Sequence, residues 1–191
     1  MTQLDKPALI LIDIQKGFEF EDISYWVGGR NNPEAEKNAR KLLDFWRQNN
    51  WPVFHIQHCS TNPDSKFVEG KPGHDFQEII RPNAGELIIQ KHVHSAFIGT
   101  DLKQQLDQFN IRVLIIAGLT TDHCVSTSAR MAADYGYTTF VVSDATATFD
   151  KVGADGQKFS AETIHQTALA SLHKEFVTVI RTEELTSKIN I

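Results

Sequence analysis

Six short apolar runs punctuate the chain, at Ala8–Ile12, Pro52–Gln57, Leu87–Ile89, Val113–Ala117, Tyr137–Ser143 and Phe176–Ile180. Runs this short and rich in branched residues predict strands, and the unbroken apolar character of Ala8–Ile12, Leu87–Ile89 and Val113–Ala117 predicts burial on both sheet faces. Between them apolar residues recur at helical spacing: Ala35, Ala39, Leu42, Leu43 and Trp46, then Leu102, Leu106 and Phe109, then Val125, Ala129, Ala132 and Ala133, and lastly Ile164, Ala168 and Leu172. Each set predicts a helix with those residues inward. The punctuation agrees: Asn32-Pro33-Glu34, Thr100 and Ser160 read as helix starts, Gly136 as a stop, and a short tail helix follows Thr182. Strand and helix alternate throughout, which predicts an α/β fold, a three-layer α/β/α sandwich built on a parallel sheet with right-handed crossovers. No repeat or linker divides the chain, so residues 1–191 read as a single domain.

Three segments break the periodicity. Gly17 to Asn32 carries Phe18, Phe20, Tyr25 and Trp26 among polar residues, aromatics that either stack on a ligand or pack the loop down. His58 to Gly85 is long for a connection in a compact domain, and loops of that length are usually functional, so it is read as one wall of a pocket. Asp144 to Phe159, polar apart from residues such as Phe149, is read as a lid or subunit contact.

Reactive side chains stand where strands end. Asp13 follows the first run, Lys91 follows the third, and Cys124 lies beyond the fourth, at the first turn of the next helix. In an open parallel sheet the C-terminal strand ends share one edge, where ligands bind. A thiol at a helix N-terminus is favourably placed for ionisation. Each residue alone has a plain alternative: Asp13 as a turn cap, Lys91 as a solvated strand end, Cys124 as a small buried hydrophobe. His58, just past the second strand, could bind a substrate, ligate a metal or satisfy its own loop.

Composition narrows the partners. With 19 Lys and Arg against 24 Asp and Glu the net charge is -5, and no basic stripe offers a footprint for nucleic acid. No apolar run approaches the roughly 20 residues of a bilayer span, and the N-terminus lacks a signal peptide's regions, so no membrane partner and a cytoplasmic location are expected. Two cysteines, Cys59 and Cys124, make no disulfide framework. Cofactor motifs are missing too: the first strand turns through Asp13-Ile14-Gln15-Lys16-Gly17, without the glycine pattern of a dinucleotide site, and there is no Walker A loop, G-x-S-x-G elbow or H-E-x-x-H.

The set Asp13-Ile14-Gln15-x-x-Phe18, Gly85-Glu86-x-x-x-x-Lys91 with Ser95-Ala96-Phe97, and Gly118-x-x-Thr121-Asp122-x-Cys124-Val125 resembles the isochorismatase-like cysteine hydrolase family, which includes nicotinamidases, carbamoylsarcosine amidohydrolase and isochorismatases. The resemblance extends to Asp144-Ala145 and Ser160-Ala161-Glu162 and so covers nearly the whole chain. It implies a six-stranded parallel sheet in the order 3-2-1-4-5-6, a catalytic triad of Asp13, Lys91 and Cys124, and a non-proline cis peptide before Thr120. That order sets Lys91 two strands from Asp13, and with strands about 4.8 Å apart its side chain must reach back roughly 10 Å.

On this basis the expected function is a cysteine hydrolase that cleaves a small amide, urea or related C–N carbonyl compound through a thioester on Cys124. The oxyanion would sit against the N–H groups of Thr120 and Cys124. The alternatives are a vinyl ether hydrolase of the isochorismatase type, which needs no cysteine, and a catalytically silent binding domain. Gln15, Phe18, Trp26, His58, Phe97 and Phe149 are the candidate substrate contacts. Nicotinamidases carry Asp-x-His where this chain has His58-Cys59-Ser60, so neither a metal nor another cofactor is expected. The expected partners are a small-molecule substrate, water, and further copies of the chain in a homo-oligomer, a dimer or tetramer.

Overall fold

The computed structural model describes residues 6–19 and 28–189; Phe20, Tyr25 and Trp26 lie outside them. Strand β1 (Ala8–Ile12) is central, pairing in parallel with β2 (Val53–His58) on one side and β4 (Val113–Leu119) on the other. Beyond β2 lies β3 (Leu87–Lys91), and beyond β4 lies β5 (Thr138–Ala147). A small antiparallel hairpin of β6 (Lys151–Val152) and β7 (Lys158–Phe159) stands apart, and β8 (Thr178–Ile180) closes the far edge. The six-stranded order is β3-β2-β1-β4-β5-β8, the expected arrangement with the last strand renumbered for the hairpin. The loop from Asp144 is more regular than its composition suggested, since β5 runs on to Ala147 and the hairpin follows.

Parallel neighbours require crossovers: α1 (Ala35–Gln48), α2 (Leu102–Gln108), α3 (Ser126–Asp134) and α4 (Ala161–Leu172) lie on four of them, the segment 59–86 joins β2 to β3 without an α-helix, and α5 (Thr182–Ile189) follows β8. Alternation along β1 divides the core in two. Ala8, Ile10 and Ile12 pack with residues of α2, α3 and α4, while Leu9 and Leu11 pack with α1 and α5. All five are buried. Each of the Leu and Ile side chains contributes about 1.5–3 kcal/mol through burial, and this removal of apolar surface from water holds the helical layers on the sheet.

Four local expectations are revised. Gly118 does not end the fourth strand; β4 runs through it to Leu119. There β4 lies so close to β1 that a Cβ would fall 2.1 Å from the Ile12 carbonyl oxygen, at a backbone φ of +125°. Phe109 is 55% exposed and meets Phe54 edge-on at the surface. On α4 the inward residues are Ala161, His165, Leu169 and Leu172, with Ile164 and Ala168 only half-buried, because His165 turns in to meet Thr121 Oγ1 at 2.8 Å. Asn32 does not cap α1. With φ of 44° it donates instead to the carbonyls of Ser143 (2.9 Å) and Thr146 (2.8 Å), tying the loop to β5.

Candidate active site

The residue after β1 must leave the sheet at once, and Asp13 does so in the left-handed region, φ 51°, which Asp tolerates better than most residues. Its N–H still donates to the Ile56 carbonyl at 3.0 Å. After β4 the Leu119–Thr120 peptide is cis, and residues Thr121–Val125 make a wide turn in which the N–H groups of His123 and Val125 both donate to the Thr120 carbonyl. Cys124 sits in this turn, just before α3. Lys91 comes from the edge strand and crosses the two-strand span. Its Nζ lies 2.7 Å from Asp13 Oδ2, 3.3 Å from Cys124 Sγ, 3.2 Å from the Val93 carbonyl and 3.4 Å from His58 Nδ1. The acid, the ammonium and the thiol are all buried.

Burial alone would lower the Lys91 ammonium, but the charge of Asp13 and the neighbouring Cys124 outweigh it and its pKa is raised. Lys91 is therefore a fixed cation. The Cys124 thiol moves up: burial penalises its anion, the adjacent Asp13 charge repels it, and Lys91 offsets only part. Burial and Asp13 thus favour the thiol form, against the pull of a nearby helix N-terminus. Asp13 Oδ1 is buried and accepts no hydrogen bond among the described residues. It is the oxygen with capacity for a proton.

A cavity of about 100 Å³ opens onto these groups, lined by Asp13, Phe18, His58, Phe67, His94, Thr120, His123 and Cys124. Of the candidate substrate contacts, Phe18 and His58 line it. Gln15 does not. Its amide is committed to backbone, donating to the carbonyls of His58 (3.1 Å) and His74 (2.8 Å) and accepting from the His58 N–H (2.9 Å). Phe149 stands one layer back, stacked on Phe18 with centroids 6.0 Å apart. Phe97 packs into the core beside Tyr135 and Tyr137, because the chain after β3 turns its ring away from the cavity. Trp26 lies outside the described residues. Cys59 Sγ is 3.1 Å from His74 Nε2.

Sequence reasoning missed three lining residues. Phe67 sits in the long segment read as a wall, but nothing in its neighbourhood distinguished it. His94 follows Lys91 by three residues and its Nδ1 is 3.8 Å from Cys124 Sγ, and His123 stacks edge-on against it at 5.6 Å. Proximity to Lys91 and Cys124 in the chain was the available signal. His123 Nε2 is 3.1 Å from Lys151 Nζ, and Lys151 also pairs with Asp122, which accepts from Thr148. The hairpin thereby touches the pocket rim. Burial lowers the pKa of His123, and that of His58 falls to about 4 through burial and the Lys91 charge. Among the described residues no three His, Cys, Asp or Glu side chains are grouped to hold a metal ion, and no helix is long and apolar enough to cross a membrane.

A parallel α/β/α sheet with an acid, an ammonium and a thiol at its C-terminal edge defines a class, and comparison with known proteins supplies its name. The isochorismatase domain family model matches residues 7–184, and the chain belongs to the isochorismatase family. It is 44% identical over 181 residues to the uncharacterized isochorismatase family protein YrdC of Bacillus subtilis, covering 95% of both chains. The structure of an isochorismatase-family protein from Chromobacterium violaceum superposes with a TM-score of 0.93 at 37% identity, covering 98% of this chain and 95% of the other. Maleamate amidohydrolase of Pseudomonas putida is 29% identical over 151 residues, covering 72% of this chain and 70% of that one.

Proposed function

We propose that the chain hydrolyses a small amide, urea or related C–N carbonyl compound through a covalent thioester on Cys124. The observation that carries this reading is the placement of Lys91 Nζ between Asp13 Oδ2 and Cys124 Sγ at 2.7 and 3.3 Å. The similarity to an amidohydrolase supports the bond type. Because the resting sulfur is protonated, attack and deprotonation are coupled: the S–C bond forms as Asp13 takes the thiol proton, while Lys91 balances the charge. The oxyanion develops against the N–H groups of Thr120 and Cys124, a contact of a kind worth about 3 to 4 kcal/mol per donor. Asp13 then gives its proton to the departing nitrogen, the C–N bond breaks, and ammonia or an amine leaves. Water adds to the thioester as Asp13 takes one of its protons. The C–S bond breaks, the acid departs, and the proton returns to sulfur.

The test is a panel of small amides, ureas and carbamates with ammonia release as readout, run with and without chelator and with intact-mass detection of the acyl-enzyme. Turnover insensitive to chelator is expected, with Cys124→Ser and Asp13→Asn each losing at least about a thousandfold in kcat. Full activity in Cys124→Ser would sink covalent catalysis, and loss of turnover to chelator with recovery on added zinc or iron would sink the metal-free reading.

A further inference from the structure

The charged groups around the cavity form closed pairs. Asp13 is matched by Lys91 at 2.7 Å and Asp122 by Lys151. Nearby, Arg30 is matched by Glu36 at 2.6 Å and Lys16 by Glu78 at 3.1 Å. Two of the three lining imidazoles, His58 and His123, are held toward their neutral forms, chiefly by burial. The Lys91 ammonium also favours one tautomer of His58: it has no acceptor, so the ring nitrogen 3.4 Å away is better unprotonated, with the ring proton on Nε2.

We infer that this pocket selects small uncharged acyl compounds, with His58 Nε2–H as a hydrogen-bond donor to the substrate, and rejects compounds that carry a carboxylate. A carboxylate entering a cavity of about 100 Å³ would lose its water and meet no unmatched lysine or arginine of the lining among the described residues, and burying an unpaired charge is strongly unfavourable. A neutral amide loses far less, and the neutral imidazole donor satisfies its acceptor. The inference narrows the substrate class of the hydrolase reading. It separates this chain from its relative that acts on maleamate, an anion, and from action on isochorismate, which bears two carboxylates.

Alkylation of Cys124 reads this selection without any turnover. Iodoacetamide and iodoacetate differ only in their neutral and anionic ends; with either, the sulfur–carbon bond forms, iodide leaves and the thiol gives up its proton. The ratio of the two rates at Cys124, resolved from Cys59 by peptide mapping, is compared with the same ratio for glutathione at the same pH. At Cys124 the preference for iodoacetamide should exceed that of glutathione at least tenfold. Asp122→Asn, which removes one counter-charge of Lys151, should lower the ratio toward that of glutathione. His58→Asn keeps an acceptor for Lys91 but removes the distal donor, whereas His58→Gln keeps a distal donor. Asn should therefore raise KM for neutral amides severalfold with little change in kcat, and Gln should recover part of that loss in KM. A ratio equal to that of glutathione overturns the inference, as does a preference for iodoacetate abolished by His94→Gln, which would make His94 the receiving cation. Selective alkylation with no turnover on the whole amide panel would sink the hydrolase reading alone. Turnover of neutral and anionic amides with equal kcat/KM would sink the selection alone.

Discussion

Replacing Asp13 with Asn should destroy turnover and yet make the nucleophile more reactive toward alkylating agents. In the wild type the thiolate of Cys124 would face two opposed charges, Asp13 and Lys91, on top of a burial penalty, and its pKa is raised. At about 4 Å and an effective dielectric near 20, one unit charge contributes about 4 kcal/mol, or close to three pKa units. With Asp13 and Lys91 both present these contributions largely cancel and burial decides. Asp13→Asn removes the repulsive one, and Lys91, which already lies 3.3 Å from the sulfur, takes the thiolate as its new partner. The thiol pKa should fall by two to three units, so at pH 7 alkylation should accelerate by at least tenfold while hydrolysis is lost. The assay is the pseudo-first-order rate of iodoacetamide modification of Cys124 between pH 6 and 10 in both proteins, each peptide-mapped against Cys59. Alkylation of the variant no faster than wild type at pH 7, or a wild-type midpoint below the ordinary thiol value of about 8.5, would refute the charge balance drawn here.

Two further outcomes concern stability. Glu86 accepts from Arg47 at 2.7 and 2.9 Å, His55 at 2.8 Å and the Asn83 N–H at 2.8 Å; burial works against its charge, but these donors bring its pKa down to about 2. A folded-state pKa below the unfolded one stabilises above the unfolded value and fades as pH falls toward 2. After allowance for solvent screening, Glu86→Gln should cost about 2 kcal/mol at pH 7, a difference that shrinks below about pH 4.5 in urea melts followed by circular dichroism. Gly118→Ala should cost about 3 kcal/mol or more in the same melts, because its Cβ would collide with Ile12 and its φ of +125° disfavours any side chain; a loss under 1 kcal/mol would show that β4 can move away from β1.

The sheet was legible because buried parallel strands must be apolar on both faces, and Ala8–Ile12 and Val113–Ala117 are. Asp13, Lys91 and Cys124 were legible because the end of a parallel strand is a fixed address at one edge. What escaped the sequence depended on side-chain direction. Phe97 and Phe18 are both aromatic and near an expected site, yet one turns into the core against Tyr135 and the other faces the cavity. Gln15 stands two residues from Asp13 but serves backbone rather than ligand. His165 was hidden because a polar residue on the inner face of α4 shifts the helical pattern, and its partner Thr121 is 44 residues away. The upward direction of the Cys124 pKa was hidden for a different reason: proximity to a helix start is a local favourable effect, and burial beside a carboxylate opposes it.

The central position of β1 bears on how the chain is made. Ala8 pairs with Leu114 across one edge of that strand, so β1, made before the other strands of its sheet, waits for a partner roughly a hundred residues further along. At synthesis rates of about 5–20 residues per second, that edge stays open for about 5 to 20 s. β2 and α1 can cover part of the strand in the meantime, but an apolar row with one unpaired backbone edge is a template for association with other nascent chains. The strand that later carries Asp13 into the finished site is thus the segment for which a chaperone bound during synthesis would matter most.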